Sequence, residues 1–165
     1  MSPMVTGTTD NAPDQDFHPG ESAATAPVED EDGLPFWEFA ARGELRVQSC
    51  AACALPRFPP RPCCPRCQCF ASEWRRVSGH GRLWSYVVPH PPLLPFYEQH
   101  APYNVALVEL AEDPRIRLVG NVVAAPGAGL GSLDPARLSI GAPVRAAFTD
   151  PAEGVTVPYW LLEEA

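Results

Sequence analysis

The chain has 165 residues, enough for one ordinary domain or two small ones, and a net charge of −8. That excess equals the eight acids of residues 1–33 (Asp10, Asp14, Asp16, Glu21, Glu29, Asp30, Glu31 and Asp32), where no Lys or Arg occurs, so residues 34–165 are balanced. A balanced body argues against a nucleic-acid binder, which needs a basic face, and no apolar run approaches the roughly eighteen residues that span a bilayer.

The N-terminal stretch has neither the basic start nor the apolar segment of a secretory signal. It is short of large apolar side chains and cannot bury enough surface to offset the entropy of ordering. Residues 1–33 are therefore expected to form a disordered acidic tail. A cytoplasmic protein with reduced thiols is expected, and in that compartment clustered cysteines read as metal ligands rather than disulfides.

Order is expected from Leu34. Pro35 suits a first helical turn. Phe36, Trp37, Phe39 and Ala40 share a stripe at helical spacing, and Gly43 is a natural stop. A short helix over Pro35–Arg42 follows, its stripe expected to pack on the next segment, with a partner face as the alternative. Glu44–Cys50 alternates like a strand and leads into Cys50-x2-Cys53, a loop over 54–63, and Cys64-x2-Cys67.

Two Cys-x-x-Cys pairs about ten residues apart can place four thiolates at the corners of a tetrahedron, the geometry Zn²⁺ takes in structural sites. Six cysteines crowd into residues 50–69. Cys63 would leave three residues before Cys67, and Cys67-x-Cys69 leaves only one. The ligand set is therefore Cys50, Cys53, Cys64 and Cys67, with Cys63 and Cys69 as free thiols. A four-cysteine site has no open position for water or substrate, so the metal is expected to be structural. Thioredoxin-like chemistry would need a single pair leading into a helix. Arg57, Arg61 and Arg66 lie nearby in sequence, either to offset the negative site or as ordinary surface arginines.

Beyond the ribbon the pattern turns to period two: Trp74–Val77, Gly81–Val88, Tyr103–Leu110, Ile116–Val123, Val144–Phe148 and Val155–Leu161. Glu112-Asp113-Pro114 and residues 150–154 supply turns. Short alternating strands without a long helix predict a small antiparallel barrel of the OB type. The expected architecture is mainly β: a short N-terminal helix and a rubredoxin-like zinc ribbon over 34–72, then an OB-fold barrel over 73–165.

The order of motifs carries a resemblance. Pro35-Phe36-Trp37-Glu38 precedes the first cysteine pair; Arg57-Phe58-Pro59-Pro60-Arg61 and Cys64-Pro65-x-Cys67 follow. Then come Gly79-His80-Gly81-Arg82-Leu83-Trp84-Ser85-Tyr86, the run from Pro102-Tyr103-Asn104 to Leu110, and Ile140-Gly141-Ala142-Pro143-Val144. Over residues 34 to about 162 this resembles the acyl-CoA-associated zinc-ribbon/OB-fold family, long known only as a domain of unknown function. The resemblance implies a non-catalytic accessory subunit of a thiolase-fold enzyme, an acyl-CoA aldolase or acyltransferase, in steroid side-chain or fatty-acid degradation. Such a subunit would pack on the thiolase-like partner and help form the passage for an acyl-CoA thioester. Some members are bound or fused to MaoC-like enoyl-CoA hydratases. Family knuckles usually carry Gly after the second cysteine, where this chain has Ala54 and Gln68.

No catalytic constellation stands out. His18 lies in the tail, His90 and His100 in a proline-rich loop, and His80 beside a strand. All six cysteines lie in the metal segment, and a cysteine nucleophile needs a base. Gly127-x-Gly129-x-Gly131 sits in a Pro/Ala/Gly loop with no helix after it and reads as a flexible connection. The loop Pro89–Pro102 is expected to be stiffened toward extended polyproline geometry. It offers Leu93, Leu94, Phe96 and Tyr97 as contacts for the partner or the acyl chain, or else as one closed end of the barrel. Arg75, Arg76, Arg115 and Arg117 are available for CoA phosphates, and nothing local selects among them. The competing function is single-stranded nucleic-acid binding, with Trp74, Trp84, Tyr86 and Tyr103 as stacking residues. An independent thioesterase or hydratase ranks last for want of a base and a nucleophile.

Overall fold

The structure, a computed structural model, describes residues 30–152 and 155–163. The tail expected over 1–33 thus falls almost wholly outside the described residues. Leu34–Ala40 forms α1, with Pro35 in its first turn, and Gly43 follows at φ +70. A helix this short is marginal alone. It is held by burial of Phe36 and Ala40. The Phe36 ring lies 4.9 Å from Trp37 and 5.3 Å from Phe58, and Phe39 lies 5.9 Å from Trp74. The stripe is therefore core at Phe36 and Ala40, while Trp37 stays half-buried.

Three strands make the ribbon: β1 (Arg46–Cys50), β2 (Pro56–Arg57) and β3 (Ser72–Arg76), ordered β2-β1-β3 with antiparallel pairing throughout. The alternation at Trp74–Val77 belongs to this sheet, since Trp74 pairs with Gln48 on β1.

The second sheet comprises β4 (His80–Val87), β5 (Val105–Leu110), β6 (Arg117–Gly120), β7 (Val122–Val123), β8 (Pro143–Ala152) and β9 (Val155–Leu162). Their spatial order is β6-β5-β4-β8-β9-β7, antiparallel except for the parallel pair β7–β9. The two edges, β6 and β7, are consecutive in the chain and separated only by Asn121. The sheet must therefore curl until both edges meet in one bent segment, which gives the OB-type barrel. A one-turn helix, α2 (Pro95–Glu98), sits in the long β4–β5 connection. Extended geometry was the expectation there. The fixed φ of proline suits a first helical turn as well as a polyproline segment, and Pro95 takes the helical option.

The larger of two buried clusters joins the ribbon to the barrel. Leu83, Val108, Leu118, Val122, Val144 and Trp160 of the barrel pack with Phe36 of α1 and with Leu45 and Val47 at the ribbon. Ribbon and barrel are thus coupled by apolar burial, each buried side chain contributing about 1.5–3 kcal/mol. Among the described residues, no helix is long and apolar enough to cross a membrane.

Candidate metal centre and flanking groove

The sulfurs of Cys50, Cys53, Cys64 and Cys67 all lie within 4.8 Å of one another. Cys50 and Cys67 lie 3.5 Å apart, and Cys53 and Cys64 3.6 Å. A tetrahedron with arms of about 2.3 Å would put its sulfurs about 3.8 Å apart, whereas a disulfide needs about 2.05 Å. The spacing suits a metal and not a crosslink.

Each pair sits on a matching turn. The Ala54 N–H donates to the Cys50 carbonyl at 2.9 Å and the Gln68 N–H to the Cys64 carbonyl at 2.8 Å. The Cys50 N–H donates to Leu55 and the Cys64 N–H to Cys69, at 3.0 and 2.9 Å, which closes each loop. Backbone N–H groups also face the sulfurs. The Cys53 N–H, helped by that of Ala52 and opposed by burial, brings the Cys50 thiol down to about 6. The Cys67 N–H likewise holds Cys64 below the usual thiol range. The Cys69 N–H pulls on Cys67 too, but the Cys50 sulfur, burial, and the Cys53 and Cys64 sulfurs outweigh it and push that thiol up to about 12. Four thiolates cannot share this volume without a cation, and a bound cation deprotonates its coordinating thiols. The donor set fits Zn²⁺ in a closed structural site.

Ala54 and Gln68, at the usual glycine positions, adopt φ of 56° and 60°. The knuckle conformation is kept despite the side chains, at a cost of about 1–2 kcal/mol per residue. Ala54→Gly and Gln68→Gly should each stabilise the zinc-loaded protein by about 1 kcal/mol, less whatever entropy the freer unfolded chain gains. Denaturant midpoints would show this, and a lower midpoint in both variants would contradict the left-handed turns.

Of the three nearby arginines only Arg57 is buried, at 4% exposure. Its Nε donates to Gln48 Oε1 at 2.8 Å, while Nη1 and Nη2 have no partner. The same Gln48 oxygen accepts the Arg61 backbone N–H at 2.9 Å; the Arg61 and Arg66 side chains are exposed. Cys63 and Cys69 are half-buried, their thiols donating to the carbonyls of Cys64 and Ala71 at 3.7 and 3.8 Å.

The four loop residues separate. Phe96 and Tyr97 line a groove of about 710 Å³ between the ribbon and the barrel. Leu93 is half-buried and Leu94 is 52% exposed, and neither lines the groove. Phe96 packs edge-to-face on Tyr97 at 5.2 Å and lies tilted against His100 at 4.8 Å, and Tyr97 lies tilted against Tyr103 at 5.6 Å. Gly131, expected in a flexible connection, is packed instead: it has φ +78, and a Cβ there would collide with the His100 carbonyl.

The remaining candidates scatter. Arg75 and Arg76 flank a cavity of about 260 Å³ whose rim also carries Glu112 and Asp113, poor company for a phosphate. Arg115 pairs with Asp113 at 2.7 Å, and Arg117 lies 3.9 Å over the Trp84 ring. His80 Nδ1 lies 3.0 Å from Glu163, His90 is exposed, and His18 is outside the described residues. Of the stacking candidates, Tyr103 is buried, Trp74 packs on Phe39, and the Tyr86 hydroxyl donates to the Leu138 carbonyl. Trp84 alone of the four is exposed, so they form no continuous platform. Two features had escaped sequence reasoning: the groove, built from segments far apart in the chain, and a buried clamp at Asn104. The Pro-Tyr-Asn motif was the one visible hint of the clamp.

A four-sulfur ribbon sharing its core with an OB barrel defines a zinc-ribbon/OB-fold protein whose metal is structural. Residues 37–73 match the family model "ChsH2, rubredoxin-like zinc ribbon domain", and residues 74–149 match "ChsH2, C-terminal OB-fold domain". The chain belongs to this ChsH2 (DUF35) family. It is similar to a chain in the solved structure of an "Ltp2-ChsH2(DUF35) aldolase", with 34% identity, a TM-score of 0.68, and coverage of 82% of this chain and 98% of that one. It is 40% identical over 124 residues to a "Probable enoyl-CoA hydratase alpha subunit" of Thermomonospora curvata, covering 74% of this chain and 35% of the relative. It is 35% identical over 144 residues to the "3-oxo-4,17-pregnadiene-20-carboxyl-CoA hydratase alpha subunit" of Mycobacterium tuberculosis, covering 87% and 41%. The chain thus spans about two fifths or less of the length of these curated relatives.

Proposed function

We propose that this chain is a non-catalytic, zinc-stapled accessory subunit of a thiolase-fold enzyme, an acyl-CoA aldolase or acyltransferase. It packs on that partner and helps form the passage for an acyl-CoA thioester. One observation carries the reading: the match extends over 98% of a chain in the solved structure of an "Ltp2-ChsH2(DUF35) aldolase". The metal centre agrees, since four sulfurs leave no position for a reacting group. The carbon–carbon chemistry belongs on the partner. The name of the M. tuberculosis relative supports a steroid-derived acyl-CoA. The T. curvata and M. tuberculosis relatives are hydratase alpha subunits by name, so a MaoC-like hydratase is a second member of the assembly to look for. Reduced thiolates suit the cytoplasm.

The test is purification of the tagged protein from its own organism, with mass spectrometry of what accompanies it. A stoichiometric thiolase-like subunit supports the reading; recovery with single-stranded nucleic acid, or alone, removes it. Leu93, Leu94, Phe96 and Tyr97 are the proposed contacts. Leu94 is already exposed, so Leu94→Asp should leave the thermal midpoint unchanged and weaken partner capture about tenfold, since a charge in an apolar interface costs more than 1 kcal/mol. Phe96→Asp should weaken capture at least as much. Full capture by both variants would place the contact elsewhere.

A further inference from the structure

We infer that the groove between ribbon and barrel holds the apolar, polycyclic acyl group of the thioester. This rests on the reading that an acyl-CoA reaches this subunit, and adds which part of the molecule binds here and where.

The groove follows from how the barrel closes. β6 pairs with β5, and β9 meets β7 only at Trp160 and Leu161. Residues 117–120 and 155–159 therefore lie on either side of a seam with no ladder between them. The seam forms one side of the groove, through Leu118, Val119, Val157 and Pro158. Phe36, Trp37 and Phe58 form a wall from α1 and the ribbon, and Phe96, Tyr97 and His100 come from the α2 segment. The volume of about 710 Å³ falls within the roughly 300–1,000 Å³ of small-molecule sites.

Its chemistry selects one end of a thioester. Among the described residues no Arg or Lys lines the groove, and the one charged lining residue is Asp30, which disfavours the phosphates of CoA and leaves the uncharged end to enter. A peptide strand would need main-chain donors along its path, and Pro59, Pro60 and Pro158 have none. Between rigid aromatic walls, a fused-ring skeleton loses less conformational freedom than a linear chain. His100, Asn121 and Thr149 supply a few polar groups that can meet a ring ketone or hydroxyl. The space beside Gly129 is open: a Cβ there would meet nothing within 4 Å.

Trp37 in the wall, and Trp160 directly behind Gly120, provide a fluorescence signal. The full chain, loaded with zinc, is titrated with androst-4-ene-3,17-dione and separately with palmitate. We expect saturable steroid binding, weakened at least tenfold by Gly129→Phe, with palmitate no tighter. The inference is overturned by absent steroid binding, by Gly129→Phe binding normally, or by palmitate binding tenfold tighter. A concentration-dependent dimer that Gly129→Phe abolishes would also overturn it, by making a second copy the occupant. Should Gly129→Phe not fold, photolabelling of the wild-type chain by a diazirine steroid decides: labels on wall residues such as Trp37, Phe58 or Tyr97 support the groove, and labels confined to residues outside it refute it. Partner capture is measured alongside, so a chain that binds its partner but no steroid overturns the groove assignment alone.

Discussion

Removal of the metal is expected to cost on the order of 10 kcal/mol of folding free energy and to unfold the ribbon. The reason is the scarcity of other material to hold it. β1, β2 and β3 are short, β2 being only Pro56–Arg57, and Arg75 and Arg76 on β3 are exposed. Cys50 and Cys64 are among the most buried side chains, at 2% and 0% exposure, so the sulfur cluster is the centre of this unit. The consequence should spread. Phe36, Leu45 and Val47 belong to the same core as Leu83 and Trp160, and an unfolded ribbon would strip that cover from the barrel. Chelation, or Cys64→Ser, should therefore release one equivalent of zinc and lower the thermal midpoint of the whole chain. An apo protein with an unchanged midpoint would mean that the shared core alone holds the ribbon.

The metal site was legible because its ligands are local. Two residues separate the members of each pair, and a turn of that length can present both sulfurs to one point. The barrel strands were legible because half-buried strands alternate, as Val105–Leu110 does residue by residue. Alternation does not say which sheet a strand joins. Trp74–Val77 reads like any barrel strand, and only pairing with β1 assigns it to the ribbon. Proline was ambiguous in the same way at Pro95, since its φ serves both helix start and extended chain. The groove was beyond reach, because Trp37, Phe58, Tyr97, Val119 and Pro158 meet only after the barrel has curled. Buried groups left without partners were equally invisible. The indole N–H of Trp160 has none, although its ring is fully buried against Gly120, where a Cβ would come within 2.9 Å of the nitrogen.

Asn104→Ala is expected to destabilise the barrel by about 2–5 kcal/mol, a large loss for a side chain that touches neither the metal nor the groove. Asn104 is 1% exposed and lies just before β5. Its Nδ2 donates to the Val122 carbonyl at 2.8 Å, and its Oδ1 accepts the Val122 N–H, also at 2.8 Å. One side-chain amide thus satisfies both main-chain groups of the residue that follows the β6–β7 bend. Asn121, at the bend itself, donates from its Nδ2 to the Asn104 carbonyl at 2.5 Å. These bonds hold the segment where one sheet edge becomes the other, and Val122 pairs opposite Trp160 immediately beyond. Alanine would leave a buried N–H and a buried carbonyl unmade, each costing about 1–3 kcal/mol. Asp would keep the acceptor, lose the donor and bury a charge, so it should not rescue. Denaturant unfolding measures the loss. Hydrogen exchange locates it: the amides of Val122 and Val123 should lose protection before those of β4 and β5. A loss below about 1 kcal/mol, or uniform loss of protection, would show that the curl of the sheet is held by core packing and not by this clamp.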